Sequence, residues 1–238
     1  IDGSIKVDLI QPRYFYHRGT MNTLEEFLGA YETAERELTI GDRPYRFLVP
    51  QGIDCFINDD DPMHNFPLWA KIWKASLALA DHLAGMPKEG AGSILEIGAG
   101  LGVAGIVAAT RGHRVTLTEY DEDALAFARA NAAINGCRDL NVRRLDWHTP
   151  DFTEPFDTIA GSEVLYHERD FDSLMNLFTR FLKPGGRVIL SMKPRRSAMM
   201  FLERAREMFD IGMKKIEMKA TDECTVLYLC RMRRKDDV

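Results

Sequence analysis

The stretch from Ile94 to Gly102, with the sequence ILEIGAGLG, constrains the fold of this chain more than any other feature. An apolar run typical of a buried strand carries one acid, Glu96, and then gives way to glycines. Glycine tolerates positive φ and lets a ligand approach the backbone closely, so the pattern predicts a strand that ends in a ligand-binding turn. The small residues from Ala104 to Ala109 favour a helix after the turn, with its N-terminus facing the ligand.

Two nucleoside ligands fit such a turn, and the acid distinguishes between them. Gly100, Gly102 and Gly105 also satisfy the G-x-G-x-x-G pattern of dinucleotide-binding proteins. Glu96 lies in a strand that should be wholly apolar when helices cover both faces of the sheet, so its carboxylate indicates a cationic partner. S-adenosylmethionine (SAM) carries an ammonium and a sulfonium group, whereas a carboxylate would repel the pyrophosphate of NAD. SAM is therefore favoured over a dinucleotide, and a strand–turn–helix without ligand is the third interpretation.

The composition predicts one α/β domain with an appendage and limits the class of partner. The chain has 238 residues, 45% of them hydrophobic, and a formal net charge of −5. A negative chain is a poor general binder of phosphates, so no nucleic-acid partner is expected. The charge is uneven, because residues 193–238 carry twelve Lys or Arg against eight Asp or Glu. This asymmetry has two interpretations, a pair of solvated faces or a surface that steers the substrate.

Cysteine usage and hydropathy predict the compartment. The chain has no run of about eighteen apolar residues and no signal peptide, which predicts a cytoplasmic protein without a membrane partner. Since it begins at Ile1, Met21 is an alternative start. Cys224 and Cys230 lie in an apolar, strand-like run and are expected to be small core residues in a reducing compartment. No metal site is expected, because neither C-x-x-C spacing nor a companion histidine accompanies the four cysteines, Cys55, Cys137, Cys224 and Cys230.

Short apolar runs alternate with helical patterns from residue 93 onward, which is the mark of a doubly wound α/β sheet. Helices separate the first five predicted strands, which are therefore parallel. The clearest helices cover 121–135, capped by Asp121, and 170–182. Residues 221–223 join the last two strands, a length that suits an antiparallel hairpin. The seven predicted strands are 93–97, 114–118, 140–145, 156–161, 187–192, 214–218 and 224–231.

The N-terminal segment, residues 1–65, is predicted to be an α+β cap on a main domain of residues 66–238. Thr23–Leu38 has a helical pattern of apolar residues, and a hairpin around Gly41 is expected to follow it, with strands at 38–40 and 45–49. The acidic run Asp59–Pro62 closes the module. The cap is expected to cover the ligand site and set specificity, or to mediate dimerisation. Nothing in the sequence indicates the oligomeric state.

Five parallel strands followed by an antiparallel hairpin, with an ordered set of motifs, resemble the class I SAM-dependent methyltransferases. Besides the glycine turn, the motifs are Glu119 at the end of the second strand, Asp146-Trp147 at the end of the third, and the turn 182–187 before the fifth. The resemblance covers Pro67 to the C-terminus. It implies an enzyme that transfers the methyl group of SAM and releases S-adenosylhomocysteine.

The cofactor pocket follows from this resemblance and from the chemistry of SAM. Glu119 lies about twenty residues beyond the glycines, where its carboxylate accepts hydrogen bonds from both ribose hydroxyls. Its alternative role is that of a surface acid that caps the next helix. Asp146 accepts a bond from the adenine amino group, and Trp147 or Tyr120 covers a ring face, with core packing as the alternative for Trp147. The turn residues expected to contact SAM are Glu96, Gly98, Ala99 and Gly100.

A narrower resemblance links the chain to the family 16 protein lysine methyltransferases. It rests on Trp69-Ala-x-x-Trp73 and on the segment GSEVLY at 161–166. The tryptophan pair is most similar to that of the electron transfer flavoprotein β-subunit lysine methyltransferases. The resemblance implies that Trp73 lines the SAM site and that Ser162 contacts the cofactor beside an acid-x-x-aromatic motif. Burial as a helix anchor is the alternative for the two tryptophans.

In this chain the acid-x-x-aromatic motif is Glu163-x-x-Tyr166, where most relatives carry Asp at the first position. Methyl transfer to an amine needs a positioned, neutral lone pair, and deprotonating a lysine near neutral pH costs about 4 kcal/mol. Glu163 is expected to orient the amine by hydrogen bonding and Tyr166 to wall the pocket. The alternative for Glu163 is an ordinary strand-end acid, and His148 and His167 are expected to be polar surface residues.

The sequence therefore predicts a SAM-dependent methyltransferase that acts on a lysine side chain of a protein. One alternative is a small-molecule N- or O-methyltransferase with an enclosed pocket. The other is a SAM-binding interaction module without catalysis, in which the acceptor side of the site is idle. An open groove beside the acid-x-x-aromatic motif would favour a protein substrate over a metabolite.

Overall fold

A computed structural model of the protein describes residues 23–57, 66–87, 92–220 and 223–237. Helices separate the first five strands of the main domain as predicted, with one exception: residues 145–155, between the third and fourth of these strands, form a loop without a helix, so a helix is wrong there. The strands are β1 (Thr33–Ile40), β2 (Arg43–Pro50), β3 (Ser93–Ile97), β4 (Arg114–Glu119), β5 (Asn141–Arg144), β6 (Phe156–Ser162), β7 (Leu182–Met192), β8 (Phe209–Ala220) and β9 (Glu223–Arg234). The helices are α1 (Leu24–Ala30), α2 (Lys74–Ala84), α3 (Val103–Thr110), α4 (Glu122–Ile134), α5 (Phe171–Phe181) and α6 (Arg196–Ala205).

Strands β3 to β9 form one mixed sheet in the order β5-β4-β3-β6-β7-β9-β8. Strands β3 to β7 run parallel, whereas β9 runs antiparallel to both β7 and β8. The predicted doubly wound sheet with a C-terminal antiparallel hairpin is therefore confirmed. The strand order reverses between the neighbours β3 and β6, and open α/β sheets bind ligands beyond the carboxyl ends of the strands at such a switch point.

Two hydrophobic cores, one on each face of the sheet, hold the helices in place. In β3, Leu95 and Ile97 pack with residues of α5 and α6, whereas Ile94 packs with residues of α2 and α3. This alternation is expected of a strand that is buried on both faces. The predicted N-cap of α4 is confirmed, because the Asp121 carboxylate accepts hydrogen bonds from two backbone N–H groups of the first helical turn.

The N-terminal segment differs from its prediction in one element. The helix predicted over Thr23–Leu38 is wrong beyond Ala30, where α1 ends, because Thr33–Ile40 forms a strand. Every residue of β1 pairs with a residue of β2, and this long-range pairing outweighs the local helical pattern. The predicted hairpin turn is confirmed, with Gly41 at a φ of 62°. The acidic run Asp59–Pro62 lies outside the described residues.

Polar contacts fix the β1–β2 hairpin to α4. The Leu48 N–H donates a 2.7 Å hydrogen bond to Oδ1 of Asn131, whose Nδ2 donates in return to the Leu48 carbonyl oxygen at 3.1 Å. The Tyr31 hydroxyl donates to the Asp123 carboxylate at 2.6 Å. The described part of the N-terminal segment is therefore anchored on the helical layer of the main domain.

The fifth strand of the main sheet, β7, begins earlier than predicted. Leu182 pairs with Phe156, and the register then shifts so that Arg187 pairs with Thr158. The residues between bulge out around Gly185, whose φ is 69°. The predicted turn before this strand is thus a bulge within it.

The C-terminal hairpin is longer than predicted, which changes the environment of one cysteine. Strand β9 pairs with β7 from Met232 to Tyr228, and Cys224 lies beyond that pairing. The core position predicted for Cys224 is wrong, because it is exposed, whereas Cys230 is buried as predicted and all four cysteines are free. Within the described ranges, no three metal-ligating side chains form a cluster. None of the helices there has the length and apolar character to cross a membrane.

Candidate functional site

A cavity of about 490 Å³ lies at the carboxyl ends of the parallel strands. Its walls come from the loops after β3, β4, β5 and β6 and from the segment that precedes α2. With the exception of Glu96, the structure brings together every predicted site residue on the walls of this cavity. These residues are Trp73, Gly98, Ala99, Gly100, Glu119, Tyr120, Asp146, Trp147, Ser162, Glu163 and Tyr166.

The glycine turn after β3 has the backbone conformation that its sequence predicts. Gly98, Gly100 and Gly102 have φ values of 58°, 54° and 80°, which side chains with a Cβ rarely adopt. The Ala99 N–H donates to the carbonyl oxygen of Thr118 at 3.0 Å, which ties the turn to the end of β4. The turn thereby presents its backbone to the cavity and leads directly into α3.

Glu119, the last residue of β4, connects the glycine turn to the loop that follows β4. Its Oε2 accepts a 2.9 Å hydrogen bond from the Gly100 N–H, and its Oε1 accepts one from the Tyr120 N–H at 2.6 Å. Burial raises the pKa of this carboxyl, while these two N–H groups oppose the shift by stabilising the charged form. The carboxylate is held at a fixed place on the wall of the cavity and does not cap α4, since Asp121 does.

Glu96 lies beneath the glycine turn and apart from the residues that line the cavity. It is 1% exposed, and its Oε2 accepts a 2.7 Å hydrogen bond from the Gly105 N–H in the first turn of α3. Burial raises the pKa of this carboxyl to about 8; the Gly105 N–H opposes the shift and the nearby Glu119 adds to it. Its predicted contact with the cationic part of SAM stays a prediction.

The loop after β5 supplies a second carboxylate and an aromatic ring. The Asp146 carboxylate accepts a 2.9 Å hydrogen bond from the His148 N–H, and the Trp147 ring packs within reach of Gly98. His148 lines the cavity although its side chain is largely exposed, and its Nδ1 lies 2.9 Å from the Ser173 hydroxyl. Asp146 and Trp147 therefore line the cavity from the loop after β5, the strand at the edge of the sheet.

Both tryptophans of the W-A-x-x-W motif line the cavity, and each also contacts a neighbouring residue that fixes its ring. The Trp73 Nε1 donates a 2.6 Å hydrogen bond to the Leu68 carbonyl oxygen. The Trp69 ring packs against Phe56 and Phe127 at centroid distances of 4.9 and 5.5 Å. The anchor role and the cofactor role are thus compatible in each tryptophan.

The N-terminal segment reaches the cavity indirectly. In its described part, residues 23–57, no residue lines the cavity, and Phe56 contacts it through Trp69. These residues support a wall of the cavity and do not cover it. The predicted cap over the site is therefore not what residues 23–57 form, because their hydrogen bonds direct them onto α3 and α4.

Glu163 begins the loop after β6 in an unusual conformation. Its φ is 51°, the one positive value among the non-glycine residues that the structure describes. Its N–H donates to the Ser191 carbonyl oxygen at 2.8 Å, and its Oε1 accepts from the Lys193 N–H at 2.9 Å. Left-handed backbone at such a residue costs about 1–3 kcal/mol and is found mainly where function requires it.

Arg195, which sequence reasoning missed, contacts both residues of the acid-x-x-aromatic motif, Glu163 and Tyr166. Its Nη1 lies 3.4 Å from Oε2 of Glu163, and its guanidinium carbon lies 4.8 Å from the centroid of the Tyr166 ring. Burial raises the pKa of Tyr166, Glu163 acts in the same direction, and Arg195 opposes them. The signal that could have found Arg195 is its place directly after a parallel strand, at the same edge as the other site residues.

The side chains around the cavity fit SAM. The carboxylates of Glu119 and Asp146 are hydrogen-bond acceptors of the kind that ribose hydroxyls and an adenine amino group require, and the positive-φ glycine turn lines the cavity. Trp147 and Tyr120, the two rings predicted to cover the base, both line the cavity, and so does Trp73. Sequence reasoning also missed several residues of the wall: Phe66, Leu68, Lys71, Ser76, Leu101, Val103, Leu145 and Val164.

Comparison with solved structures defines the class of fold. The N-methyltransferase NodS from Bradyrhizobium japonicum WM9, solved in complex with S-adenosyl-L-homocysteine, superposes with a TM-score of 0.56. The two chains are 19% identical over 78% of this chain and 97% of the other. The fold of this chain is therefore the one seen in that solved methyltransferase.

Sequence comparison then gives the family. Residues 64–208 match the profile of a family described as lysine methyltransferase, and the chain belongs to that family. It is 33% identical over 133 residues to the protein N-lysine methyltransferase METTL21A of Xenopus tropicalis, over 53% of this chain and 61% of that protein. It is 32% identical over 162 residues to the histone-arginine methyltransferase METTL23 of Xenopus laevis, over 62% and 67% of the two chains. The chain thus spans about three fifths of the length of the first relative.

Proposed function

We propose that this protein transfers methyl groups from SAM to a lysine side chain of a protein substrate. The observation that carries the proposal is the open rim of the cavity. Tyr120, Phe66 and Leu68 line it and are 58%, 44% and 40% exposed, so the mouth is a solvent-facing apolar surface. Such a surface suits a polypeptide, whereas a metabolite site encloses its ligand.

The residues proposed to hold SAM lie on the β3, β4 and β5 side of the cavity. Glu119 accepts from the ribose hydroxyls, Asp146 from the adenine amino group, and Trp147 covers the base. Trp73 and Ser162 complete this side, together with the turn residues Gly98, Ala99 and Gly100 and with Tyr120. Bound SAM supplies the electrophilic methyl group.

Glu163 and Tyr166 are proposed to receive the acceptor amine at the opposite end of the cavity. The Glu163 side chain is 8% exposed and points its carboxylate at groups from β7 and the loop that follows. In this position Glu163 fixes the direction from which an amine approaches, and the Tyr166 ring walls the path. Most of the rate enhancement then comes from holding the amine and the methyl donor in line.

Two further parts of the proposal concern the whole protein. We assign methyl transfer to residues 66–238, within which the matched family region almost wholly lies, and a supporting role to residues 1–65. The four free cysteines suit a reducing compartment, which makes the cytoplasm the proposed location. Cell fractionation with an antibody against the chain tests the location.

The function is tested by incubating the protein with radiolabelled SAM and a lysate from its own source. We expect the label in a protein band that disappears after proteinase treatment. Mass spectrometry should place the added methyl group on a lysine side chain. Label that stays in small molecules would support a metabolite methyltransferase. Label on arginine would show that the substrate is a protein but that the acceptor residue is arginine and not lysine. The variant Glu119→Ala, in which cofactor binding is weakened, should give less label, and Glu122→Ala, a change at an exposed neighbour, is the matched control that should label as the wild type does.

A further inference from the structure

Arg195 lies behind the acceptor end of the cavity and outside its walls. Its guanidinium contacts Glu163 and the Tyr166 ring, both of which line the cavity, while Arg195 itself does not. Its side chain is 38% exposed, whereas that of Glu163 is 8% exposed. An amine that enters through the cavity therefore reaches Glu163 without displacing Arg195.

The position of Arg195 is set by the start of α6. Arg195 is the N-cap of that helix, and the Ser197 hydroxyl donates a 2.7 Å hydrogen bond to the Leu165 carbonyl oxygen. This bond joins the helix to the loop that carries both Glu163 and Tyr166. The distance between the guanidinium and the carboxylate is thus maintained by the fold as well as by charge.

The electrostatic consequence concerns any amine beside Glu163. A carboxylate alone favours the ammonium form of a neighbouring lysine, typically by 1–3 pKa units. Arginine stays charged at every physiological pH, so at Glu163 the negative charge is compensated before the substrate arrives. The other charged or titratable residues on the cavity walls are Lys71, Glu119, Asp146, His148 and Tyr166, and Lys193 contacts Glu163 through its backbone N–H.

We propose that Arg195 is a positioning residue that neutralises the field of Glu163, so that the acceptor lysine is held as a free amine. The inference rests on the proposed function. The reaction requires that form: the N–C bond forms from the amine lone pair, the C–S bond breaks with its electrons left on sulfur, and the product ammonium later loses a proton to water. An uncompensated Glu163 would instead retain the unreactive ammonium ion.

The substrate for the test is the lysate protein that the wild-type enzyme labels, purified beforehand. The test compares how kcat depends on pH in Arg195→Gln and in the wild type. The ascending limb of kcat against pH should move up by about one pH unit in the variant, because Glu163 then raises the pKa of the bound lysine. At pH 7.5 kcat should fall about tenfold while KM for the protein falls as well. Arg195→Lys should restore the wild-type profile. Arg196→Gln, an exposed neighbour with the same change of charge, should leave it unmoved.

A second measurement needs no substrate. NMR of protein labelled with ¹³C-tyrosine, in complex with S-adenosylhomocysteine and assigned with Tyr166→Phe, follows the titration of the Tyr166 phenol. Its pKa should rise in Arg195→Gln and stay in place in Arg196→Gln.

An unmoved phenol, or a uniform loss of kcat with the pH profile unchanged, would overturn the role of Arg195. A shifted phenol in a protein that methylates no lysine would overturn the proposed function and the lysine half of this inference, while the electrostatic effect of Arg195 would stand. Affinity for S-adenosylhomocysteine, measured by calorimetry, shows that each variant is folded.

Discussion

At the scale of single residues, Glu163 combines backbone strain with a fully engaged side chain. A φ of 51° is unfavourable for glutamate, yet the N–H bond to Ser191 and the carboxylate bond to Lys193 hold it there. Both partners belong to β7 or its following loop. The conformation therefore joins the ends of β6 and β7 and directs the carboxylate at Lys193 and Arg195.

Glu163→Gln should separate catalysis from cofactor binding. Affinity for S-adenosylhomocysteine should stay within about threefold, since the nucleoside side of the cavity is untouched, while methyl transfer should fall by a factor on the order of 10²–10⁴. Calorimetry and single-turnover assays with labelled SAM measure the two quantities. Tyr166→Phe should cost less, because the ring remains, and the exposed Glu168→Gln is the matched control. Full turnover in Glu163→Gln would return this residue to the role of a strand-end acid.

Glu119→Ala should weaken SAM binding by roughly 2–3 kcal/mol, the usual cost of losing hydrogen bonds to a charged group. The same carboxylate accepts the Gly100 N–H, so its loss also loosens the glycine turn. Titration calorimetry with SAM and S-adenosylhomocysteine measures the effect, with Glu122→Ala as the control. Equal affinities for Glu119→Ala and the wild type would show that the carboxylate serves only the turn.

At the scale of elements, the sequence was informative where local chemistry decides the structure. The glycine turn, the Asp121 cap and the parallel strands follow from conformational preference and hydropathy, and each is observed. The strand at 38–40 was predicted, but its earlier part at 33–37 was not, because pairing with β2 overrides a helical pattern in the local sequence. Arg195 was missed for a related reason: its partner Glu163 is 32 residues away in the sequence and becomes a neighbour only when β6 and β7 pair.

The buried side-chain amide of Asn131 is one anchor of the β1–β2 hairpin, and its contribution to stability can be tested by substitution. Asn131 bonds both backbone groups of Leu48, and its Nδ2 also donates to the Leu101 carbonyl oxygen at 3.0 Å, next to the glycine turn. Asn131→Ala leaves these buried groups unpaired and should lower the free energy of unfolding by about 2–4 kcal/mol. Denaturant unfolding measures it, with the exposed Asn176→Ala as the control. A change below about 0.5 kcal/mol would mean that water replaces the amide.

At the scale of the whole molecule, the sheet buries an acid at its centre. Glu96 lies in β3, where its neighbours across the sheet are residues of β4 and β6. Among the contacts that the structure describes, its carboxyl group has no cationic partner. With its pKa raised to about 8, the carboxyl is largely protonated at neutral pH. A neutral Glu96 suits a buried position beside the carboxylate of Glu119, and it makes folding sensitive to pH.

The folded protein should lose stability as the pH rises from about 4.5 to about 8, at up to roughly 1.4 kcal/mol per pH unit from Glu96 alone. In this window the unfolded chain has released the Glu96 proton and the folded chain retains it, so each step in pH favours unfolding. Glu96→Gln mimics the protonated form and keeps an acceptor for the Gly105 N–H, so it should match the wild type at pH 4.5 and exceed it in stability at pH 8. Denaturant unfolding at several pH values, with the exposed Glu122→Gln as control, measures the difference. If Glu96→Gln gave a pH dependence parallel to that of the wild type, Glu96 would be ionised in the folded protein. The cation contact predicted from the sequence would then be the better account, and calorimetry should show weaker SAM binding in the same variant.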